Sequence, residues 1–302
     1  MEQKKLVVLI MSVGPFAENG TAKWLKRLDA KYDNMIVVLP KQYEYHAETY
    51  TKEGIKVFVY DEKNYINKDF EFFGFKPRNC GGIGRQGIAE AVDTLQQDDI
   101  LFLQLDDDTS SMNIRKRVLI NGRIHYKLKT ITRFESLEFL MNSFDSFYRT
   151  TGIKLQAATG ATIITGDVLM FCNRKIYNNF LMYPDDANKY TGFRYLCSDD
   201  VIYNYTSNLL HQTPFLSTCL CSITFTQNQG DRKDGNAPIY NKDCSWKKSF
   251  SLRMFTPLLS IQYISKEANR TIFRETLQYQ KIYPPIMLTD KNGEITHRLA
   301  II

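Results

Sequence analysis

The sequence has few of the features that mark membrane, secreted or repetitive proteins. Its longest apolar run covers only residues 6–11, whereas a helix needs roughly 20 apolar residues to cross a bilayer. The 6 cysteines include no CxxC pair, which argues against a disulfide framework and favours reduced thiols in a cytoplasmic protein. Internal repeats and low-complexity segments are absent, and a composition of 43% hydrophobic and 24% charged residues excludes a disordered or collagen-like chain. The sequence predicts a globular protein.

Short apolar runs alternate with helix-like segments in the first third of the chain. The runs cover residues 6–13, 35–39, 55–59 and 100–105. Apolar residues at helical spacing lie between them, in residues 21–30 and 88–95. We interpret residues 6–11 as a first buried strand and not as a signal-peptide core, because no A-x-A-like cleavage site follows. The alternation predicts βαβ units, and therefore a Rossmann-type, mostly parallel sheet flanked by helices.

Three adjacent aspartates, Asp106, Asp107 and Asp108, follow the fourth apolar run. Carboxylates at the carboxyl end of a parallel strand stand where open α/β sheets bind ligands. Asp106 and Asp108, as alternate residues, can reach one divalent cation such as Mn²⁺ or Mg²⁺, which would bridge the diphosphate of a nucleotide-sugar. The simpler alternative is a solvated turn that caps a helix through Asp108 or Thr109.

A glycine pattern, G-x-G-x-x-G, is formed by Gly82, Gly84 and Gly87, and Asp106 lies 19 residues beyond it. This spacing matches a dinucleotide fingerprint and would suit an NAD-dependent dehydrogenase. However, residues 76–80 before it are polar and contain a proline, whereas the fingerprint follows a strand directly and needs one acid, not three. We therefore expect these glycines, with Arg78, Asn79 and Arg85, to lie near a nucleotide diphosphate.

Basic residues concentrate in two segments. Residues 109–134 contain seven Lys or Arg and no acid, and residues 242–281 contain eight against three acids. The segments carry +7 and +5, which leaves −6 on the rest of a chain of net charge +6. In the first segment, Asn121-Gly122 between alternating runs predicts a β-hairpin, with Arg123, His125, Lys127, Lys129 and Arg133 on one face together with Ile131.

We expect this cationic hairpin to lie beside the entrance for the acceptor, the molecule that would receive the sugar, and to bind a phosphate backbone. The alternative is a solvated lysine-rich face without a ligand.

Several motifs in this order resemble those of the nucleotide-sugar-dependent glycosyltransferases of the GT-A fold. They are the first strand, PRNCGGIGRQGIAEA, ILFLQLDDDT, the small-residue run ATGATIIT and the acidic pair in CSDDVI. The resemblance covers residues 6–230. It implies a GT-A-like domain over residues 1–230, with residues 1–108 binding the nucleotide-sugar and residues 109–230 forming the acceptor half. Residues 231–302 are predicted to be a basic, mainly helical appendage.

The resemblance also implies roles for individual residues. The predicted catalytic residues are Asp199 and Asp200, one acting as general base and the other free to cap the helix predicted to follow. The predicted nucleotide-sugar contacts are Ser12, Gly14, Arg78, Asn79, Arg85 and Asp106. The predicted metal ligands are Asp106 and Asp108. Members of the family often add a late His, but His211 precedes the strand-like run CSITFT, so Asn228 or Asp231 is preferred as the third ligand.

The basic segments and the 13% aromatic content are similar to those of bacteriophage-type DNA glycosyltransferases. This resemblance implies duplex DNA with hydroxymethylated pyrimidines as the acceptor, and the host cytoplasm as the location. The predicted DNA contacts are Arg115, Arg117, Arg123, Lys127, Lys129 and Arg133. The alternatives are a transferase that acts on a surface polysaccharide or lipid-linked glycan, an NAD-dependent dehydrogenase, a metal-dependent nuclease, and a non-catalytic nucleic-acid binder.

Overall fold

The computed structural model describes residues 3–65, 81–159, 171–172, 179–183 and 215–225, and four later strands within residues 260–299. Its first half alternates strands and helices as the sequence predicts. The elements are β1 (Lys5–Met11), α1 (Gly20–Arg27), β2 (Met35–Pro40), α2 (Ala47–Thr51), β3 (Lys56–Tyr60), α3 (Gly81–Leu95) and β4 (Ile100–Asp106). Strands β3, β2, β1 and β4 are neighbours in that order, and all three pairings are parallel.

The next elements extend the same sheet in a mixed pattern. They are β5 (Thr109–Ile120), β6 (Arg123–Thr130), α4 (Phe134–Thr151), β7 (Lys154–Thr159), β8 (Phe171–Cys172), β9 (Asn179–Met182) and β10 (Phe215–Phe225). The sheet has ten strands in the order β3-β2-β1-β4-β9-β7-β10-β5-β6, and β8 pairs with β10. Strand β9 is antiparallel to β4, and β5 is antiparallel to both β10 and β6. The expectation of a mostly parallel sheet therefore holds for the first half only.

Helices cover both faces of the sheet. On one face α1, α2 and α4 pack against alternate residues of β1, such as Val8 and Ile10. On the other face α3 packs against Val7 and Leu9. Each of these strand residues is at most 3% exposed, as expected for parallel strands that are buried on both sides and read as continuous apolar runs. This three-layer arrangement is the α/β class that the sequence predicts.

A side-chain hydrogen bond and a left-handed glycine mark two of the helix ends. Helix α1 begins after Asn19, whose Oδ1 accepts a hydrogen bond from the backbone N–H of Ala22 at 2.8 Å. Helix α4 ends at Gly152, which has a φ of 71° and closes the helix in the left-handed conformation that favours glycine. Among the described helices, none combines the length and the apolarity needed to cross a membrane.

The described part of the C-terminal appendage consists of strands. Strand β11 (Ser260–Glu267) pairs with β12 (Arg270–Leu277), and β13 (Ile286–Thr289) pairs with β14 (Ile295–Leu299), both in antiparallel fashion. The prediction of a mainly helical appendage is wrong for these residues. Runs such as Thr271, Ile272 and Phe273 explain the difference, because β-branched and aromatic side chains favour strands over helices.

Candidate functional site

The carboxyl ends of β1 and β4 lie side by side in the parallel half of the sheet, next to antiparallel β9. Met11 at the end of β1 is the ladder partner of Asp106 at the end of β4. From β1 the chain passes through α1 to β2, which is the neighbour of β1 on one flank. From β3 the chain returns through α3 to β4, which is the neighbour of β1 on the other flank. Connections that leave in opposite directions open a crevice at the carboxyl ends of the strands, where open α/β sheets bind ligands. Asp106, Asp107 and Asp108, hereafter the acid turn, stand at this crevice.

The middle aspartate of the acid turn is engaged with β1. The Ser12 hydroxyl donates a hydrogen bond to Oδ2 of Asp107 at 3.0 Å. The backbone carbonyl of Asp107 accepts a second bond, from the N–H of Thr21 at 3.2 Å. Asp107 therefore braces the turn against β1 and α1. Asp106 and Asp108 remain the predicted ligands of the divalent cation.

Thr21, in the first turn of α1, holds the acid turn through its hydroxyl. This hydroxyl donates to the backbone carbonyl of Asp106 and accepts the N–H of Thr109 at 2.8 Å. Thr21 is 0% exposed, so water does not compete for these bonds. Sequence reasoning missed this residue, because a threonine at the start of a helix has many ordinary uses and nothing local connects it to residue 106.

Tyr50 of α2 fixes the chain just after β1. Its hydroxyl donates to the carbonyl of Gly14 at 2.7 Å, lies 3.2 Å from the Ser12 hydroxyl, and accepts from the Asn19 side-chain amide at 3.2 Å. Tyr50 is 0% exposed and Ser12 is 3% exposed. The structure therefore gives Ser12 a bracing role between Tyr50 and Asp107, and direct contact of Ser12 and Gly14 with a nucleotide-sugar stays a prediction.

The glycine pattern lies inside helix α3 and serves close packing. A Cβ added at Gly84 would lie 2.1 Å from the sulfur of Met11, and one added at Gly87 would lie 2.4 Å from the Tyr60 ring. Strand β3 ends at Tyr60, and no described strand leads directly into Gly82, as the dinucleotide fingerprint requires. These glycines therefore lend no support to a dehydrogenase, because helix–sheet contact accounts for Gly84 and Gly87.

Arg85 is 2% exposed in α3. It follows Gly84, which packs closely against Met11. Met11 is in turn the ladder partner of Asp106. A guanidinium is thus buried in the helix that covers this end of β1. Its predicted contact with a diphosphate stays a prediction.

Two buried amides near the acid turn were missed by sequence reasoning. Gln104, two residues before Asp106, is 0% exposed, and its side-chain amide has no hydrogen-bond partner within the described parts of the chain. Asn179 of β9 is the ladder partner of Leu105, and its Oδ1 accepts the N–H of Ala157 at 2.8 Å. Only the antiparallel insertion of β9 beside β4 brings Asn179 here, so no sequence signal pointed to it.

The predicted hairpin forms at the predicted turn. Asn121 and Gly122 have φ values of 49° and 73°, the left-handed pair that a two-residue type I′ turn requires. Arg123, Lys127 and Lys129 are exposed along β6, and alternation places their positions on one face. This part of the prediction is confirmed.

The predicted DNA contacts Arg115 and Arg117, and the predicted face residues Ile131 and Arg133, do not lie on this face. Arg115 and Arg117 pair with Leu128 and Tyr126, register positions on the opposite face from Lys127 and Lys129. Strand β6 ends at Thr130, Ile131 turns into the core at 3% exposure, and Arg133 stands at the N-cap of α4. The prediction that Arg133 and Ile131 continue the exposed face is wrong, because Ile131 is buried and Arg133 lies beyond the end of the strand.

The basic residues of the hairpin lie far from the acid turn along β5 and β6. Strand β5 pairs with β10 from Thr109 to Ile114, and beyond Ile114 its described partner is β6 alone. Lys127 pairs with Lys116, eight residues beyond Asp108, which is about 25 Å along a strand at roughly 3.3 Å per residue. Among the described residues of the predicted acceptor half, the first residues of β5, Phe225 of β10, which pairs with Thr109, and Asn179 of β9, which pairs with Leu105, lie near the acid turn.

Several predicted site residues lie outside the described residues. They are Arg78, Asn79, Asp199, Asp200, His211, Asn228 and Asp231. Within the described ranges, no group of three or more His, Cys, Asp or Glu residues could hold a metal ion. Two carboxylates nevertheless suit Mg²⁺ or Mn²⁺, because such ions are held by one or two protein carboxylates together with substrate phosphates and water. The oxygen donors of Asp106 and Asp108 therefore fit the cation that the sequence predicts.

Comparison with known proteins gives structural likeness but no family. No protein-family model and no curated protein matches the sequence. One solved structure, described as the crystal structure of a mycobacterial protein, is similar over 91% of this chain and 83% of its own, with 9% identity and a TM-score of 0.42. A likeness at this level carries no argument about activity, so the fold rests on the topology described above.

Proposed function

We propose that the protein is a metal-dependent glycosyltransferase with a GT-A-like fold, which moves a sugar from a nucleotide-diphosphate sugar to a hydroxyl. The observation that carries the proposal is the position of the acid turn at the carboxyl end of β4. This end pairs with the end of β1, where the chain connections leave in opposite directions and open a crevice. A solvated turn would not need Ser12, Thr21 and Tyr50 to brace it from buried positions.

The acid turn provides the chemistry that this reaction needs. Asp106 and Asp108 bind a divalent cation, which when bound neutralises charge on the leaving diphosphate. Asp107 is held by Ser12 and keeps the turn in place. One of Asp199 and Asp200 accepts the proton of the acceptor hydroxyl as its oxygen bonds to the anomeric carbon and the bond from that carbon to the diphosphate breaks.

The favoured acceptor is a hydroxymethylated pyrimidine in duplex DNA. Its support is electrostatic, because residues 109–134 carry seven basic residues and no acid, and Arg123, Lys127 and Lys129 are exposed. Phosphate backbones bind such surfaces. A surface polysaccharide or a lipid-linked glycan is the alternative acceptor.

Donor hydrolysis tests the reaction without knowledge of the acceptor. The full chain is incubated with Mn²⁺ and a panel of nucleotide-sugars, and the released nucleoside diphosphate is measured. We expect slow hydrolysis of one donor, and Asp108→Asn should lower its rate about a hundredfold, the usual effect of removing one electrostatic contact to developing charge. Asp98→Asn is the matched control, since Asp98 is an exposed acid just before the opposite end of β4.

The same assay then identifies the acceptor. Transfer of radiolabelled sugar to hydroxymethylated duplex DNA, and not to unmodified DNA, supports the favoured acceptor, whereas transfer to a glycan supports the alternative. Hydrolysis of no donor, or equal rates in Asp108→Asn and wild type, contradicts the glycosyltransferase. Cleavage of the DNA or turnover of a nicotinamide cofactor would assign the site to a nuclease or a dehydrogenase.

A further inference from the structure

Residues 115–129, hereafter the ribbon, form a two-stranded arm at the edge of the sheet. The last pair between β5 and β10 is Ile114 with Cys221. From Arg115 to the turn, the described partner of β5 is β6 alone, and β6 is the last strand of the sheet order. Residues 119–123 and 127–129 of the ribbon are exposed. The ribbon is therefore accessible at its tip and along its second strand.

The charge of the ribbon is of one sign. It contains six Lys or Arg and no Asp or Glu. Its basic positions lie on both faces, because Arg115 and Arg117 alternate with Lys116 in one strand. A flat anionic surface can meet only one face of a two-stranded arm, whereas a groove with phosphates along both walls can meet both. This charge distribution favours a grooved polyanion.

The dimensions of the ribbon match one such groove. Each strand of the ribbon has about six residues between Ile114 and the turn, roughly 20 Å at about 3.3 Å per residue, and the two strands lie about 4.8 Å apart. The major groove of B-form DNA is about 12 Å wide and admits a two-stranded β-ribbon. Phosphates on both groove walls would face basic side chains. The outer edge of β6, which pairs with no second strand among the described elements, offers backbone N–H groups, which also bind phosphates.

Apolar side chains stand exposed among these charges. Leu119, Ile120 and Leu128 are 73%, 37% and 48% exposed. Their exposure to water is unfavourable in the free protein, and base edges in the major groove include apolar groups such as the thymine methyl that can cover them. A ribbon that bound phosphates alone would not need apolar residues near its tip.

We propose that the ribbon enters the major groove of duplex DNA and holds the duplex about 25 to 40 Å from the acid turn, the span from Arg115 to the hairpin turn at roughly 3.3 Å per residue. The C5 substituent of a pyrimidine also lies in the major groove, so a hydroxymethyl acceptor would be presented from the groove that the ribbon occupies. That last step rests on the proposed function, whereas the binding itself does not. Binding and chemistry are thereby assigned to separate parts of the chain.

Salt-dependent binding tests the contribution of the ribbon. The affinity of the full chain for a 20-base-pair duplex is measured by fluorescence anisotropy between about 50 and 200 mM salt. For Lys127→Gln/Lys129→Gln, we expect at least about tenfold weaker binding and a slope of log K against log salt reduced by about 2, since each phosphate contact contributes about 0.9. Lys31→Gln/Lys63→Gln removes the same charge at exposed positions outside the ribbon and should leave the slope unchanged.

Dimethyl sulfate footprinting tests the groove. Guanine N7 lies in the major groove and adenine N3 in the minor groove, so we expect protection of N7 alone. Protection of N3 alone, equal slopes for the two double variants, or binding to anionic vesicles without binding to DNA would overturn the proposal. A protein that binds DNA through the ribbon but hydrolyses no nucleotide-sugar would refute the proposed reaction and leave this inference standing.

Discussion

The acid turn joins two regions with opposite physical character. On its inner side, Ser12 and Thr21 hold the turn by side-chain hydrogen bonds, and Tyr50 holds Ser12 and Gly14 in the same way. All three residues are between 0% and 3% exposed. On its outer side, β5 leads into the ribbon, where Leu119 is 73% exposed. Buried polar contacts fix a geometry because leaving one unmade is costly, whereas an exposed arm keeps its surface available to a ligand. Substitutions should therefore affect stability in the first region and binding in the second.

The largest effect on stability is expected from overpacking the helix that covers the inner region. Gly87→Ala would place its Cβ 2.4 Å from the ring of Tyr60, a residue that is 2% exposed. The ring has no free space to move into, so we expect a loss of about 1–3 kcal/mol in the free energy of unfolding. Urea denaturation followed by circular dichroism measures this loss.

Gly84→Ala is the matched control for this prediction. Its Cβ would meet the sulfur of Met11, the flexible part of an adaptable side chain. We expect a smaller loss than for Gly87→Ala. Equal stability of Gly87→Ala and wild type would show that α3 is not packed tightly on β3. It would contradict the claim that substitutions in the inner region affect stability.

A smaller effect is expected from removing the hydroxyl that fixes the end of β1. Tyr50→Phe keeps the buried ring but leaves the Gly14 carbonyl, the Ser12 hydroxyl and the Asn19 amide without this partner. We expect a loss of about 1–2 kcal/mol in the free energy of unfolding, the usual cost of unsatisfied buried polar groups. Tyr45→Phe removes a hydroxyl from a tyrosine that is 68% exposed and should change stability by less than about 0.5 kcal/mol. Similar losses in the two variants would mean that Tyr50 does not brace the turn.

The sequence was informative wherever short-range chemistry decides the structure. The apolar runs of β1, β2 and β4 predict buried parallel strands, because both of their faces must be covered. Asn121 and Gly122 predict the hairpin, because both accept a positive φ. The acid turn follows from the same logic, since Asp106 comes directly after a buried strand.

The contacts that complete the site depend on long-range pairing and could not be predicted. Asn179 reaches the neighbourhood of Asp106 only because β9 inserts antiparallel to β4. The bond from Ser12 to Asp107 depends on the register of β1 against β4. Gly84 and Gly87 matched a nucleotide-binding pattern, although their actual neighbours, Met11 and Tyr60, are distant in sequence.

The smallest global effect is expected at the turn of the ribbon. Gly122 has a φ of 73° with no atom within 4 Å of an added Cβ, so Gly122→Ala meets no steric contact but suffers the left-handed strain of about 1 kcal/mol. Because residues 119–123 and 127–129 of the ribbon are exposed, we expect the ribbon to open without unfolding the rest of the protein. We therefore expect ribbon amides to exchange hydrogen about fivefold faster, while the free energy of global unfolding changes by less than about 0.5 kcal/mol. Asn64→Ala, an exposed substitution outside the ribbon, should change neither quantity. A global loss as large as that of Tyr50→Phe would instead mean that the ribbon folds as one cooperative unit with the core.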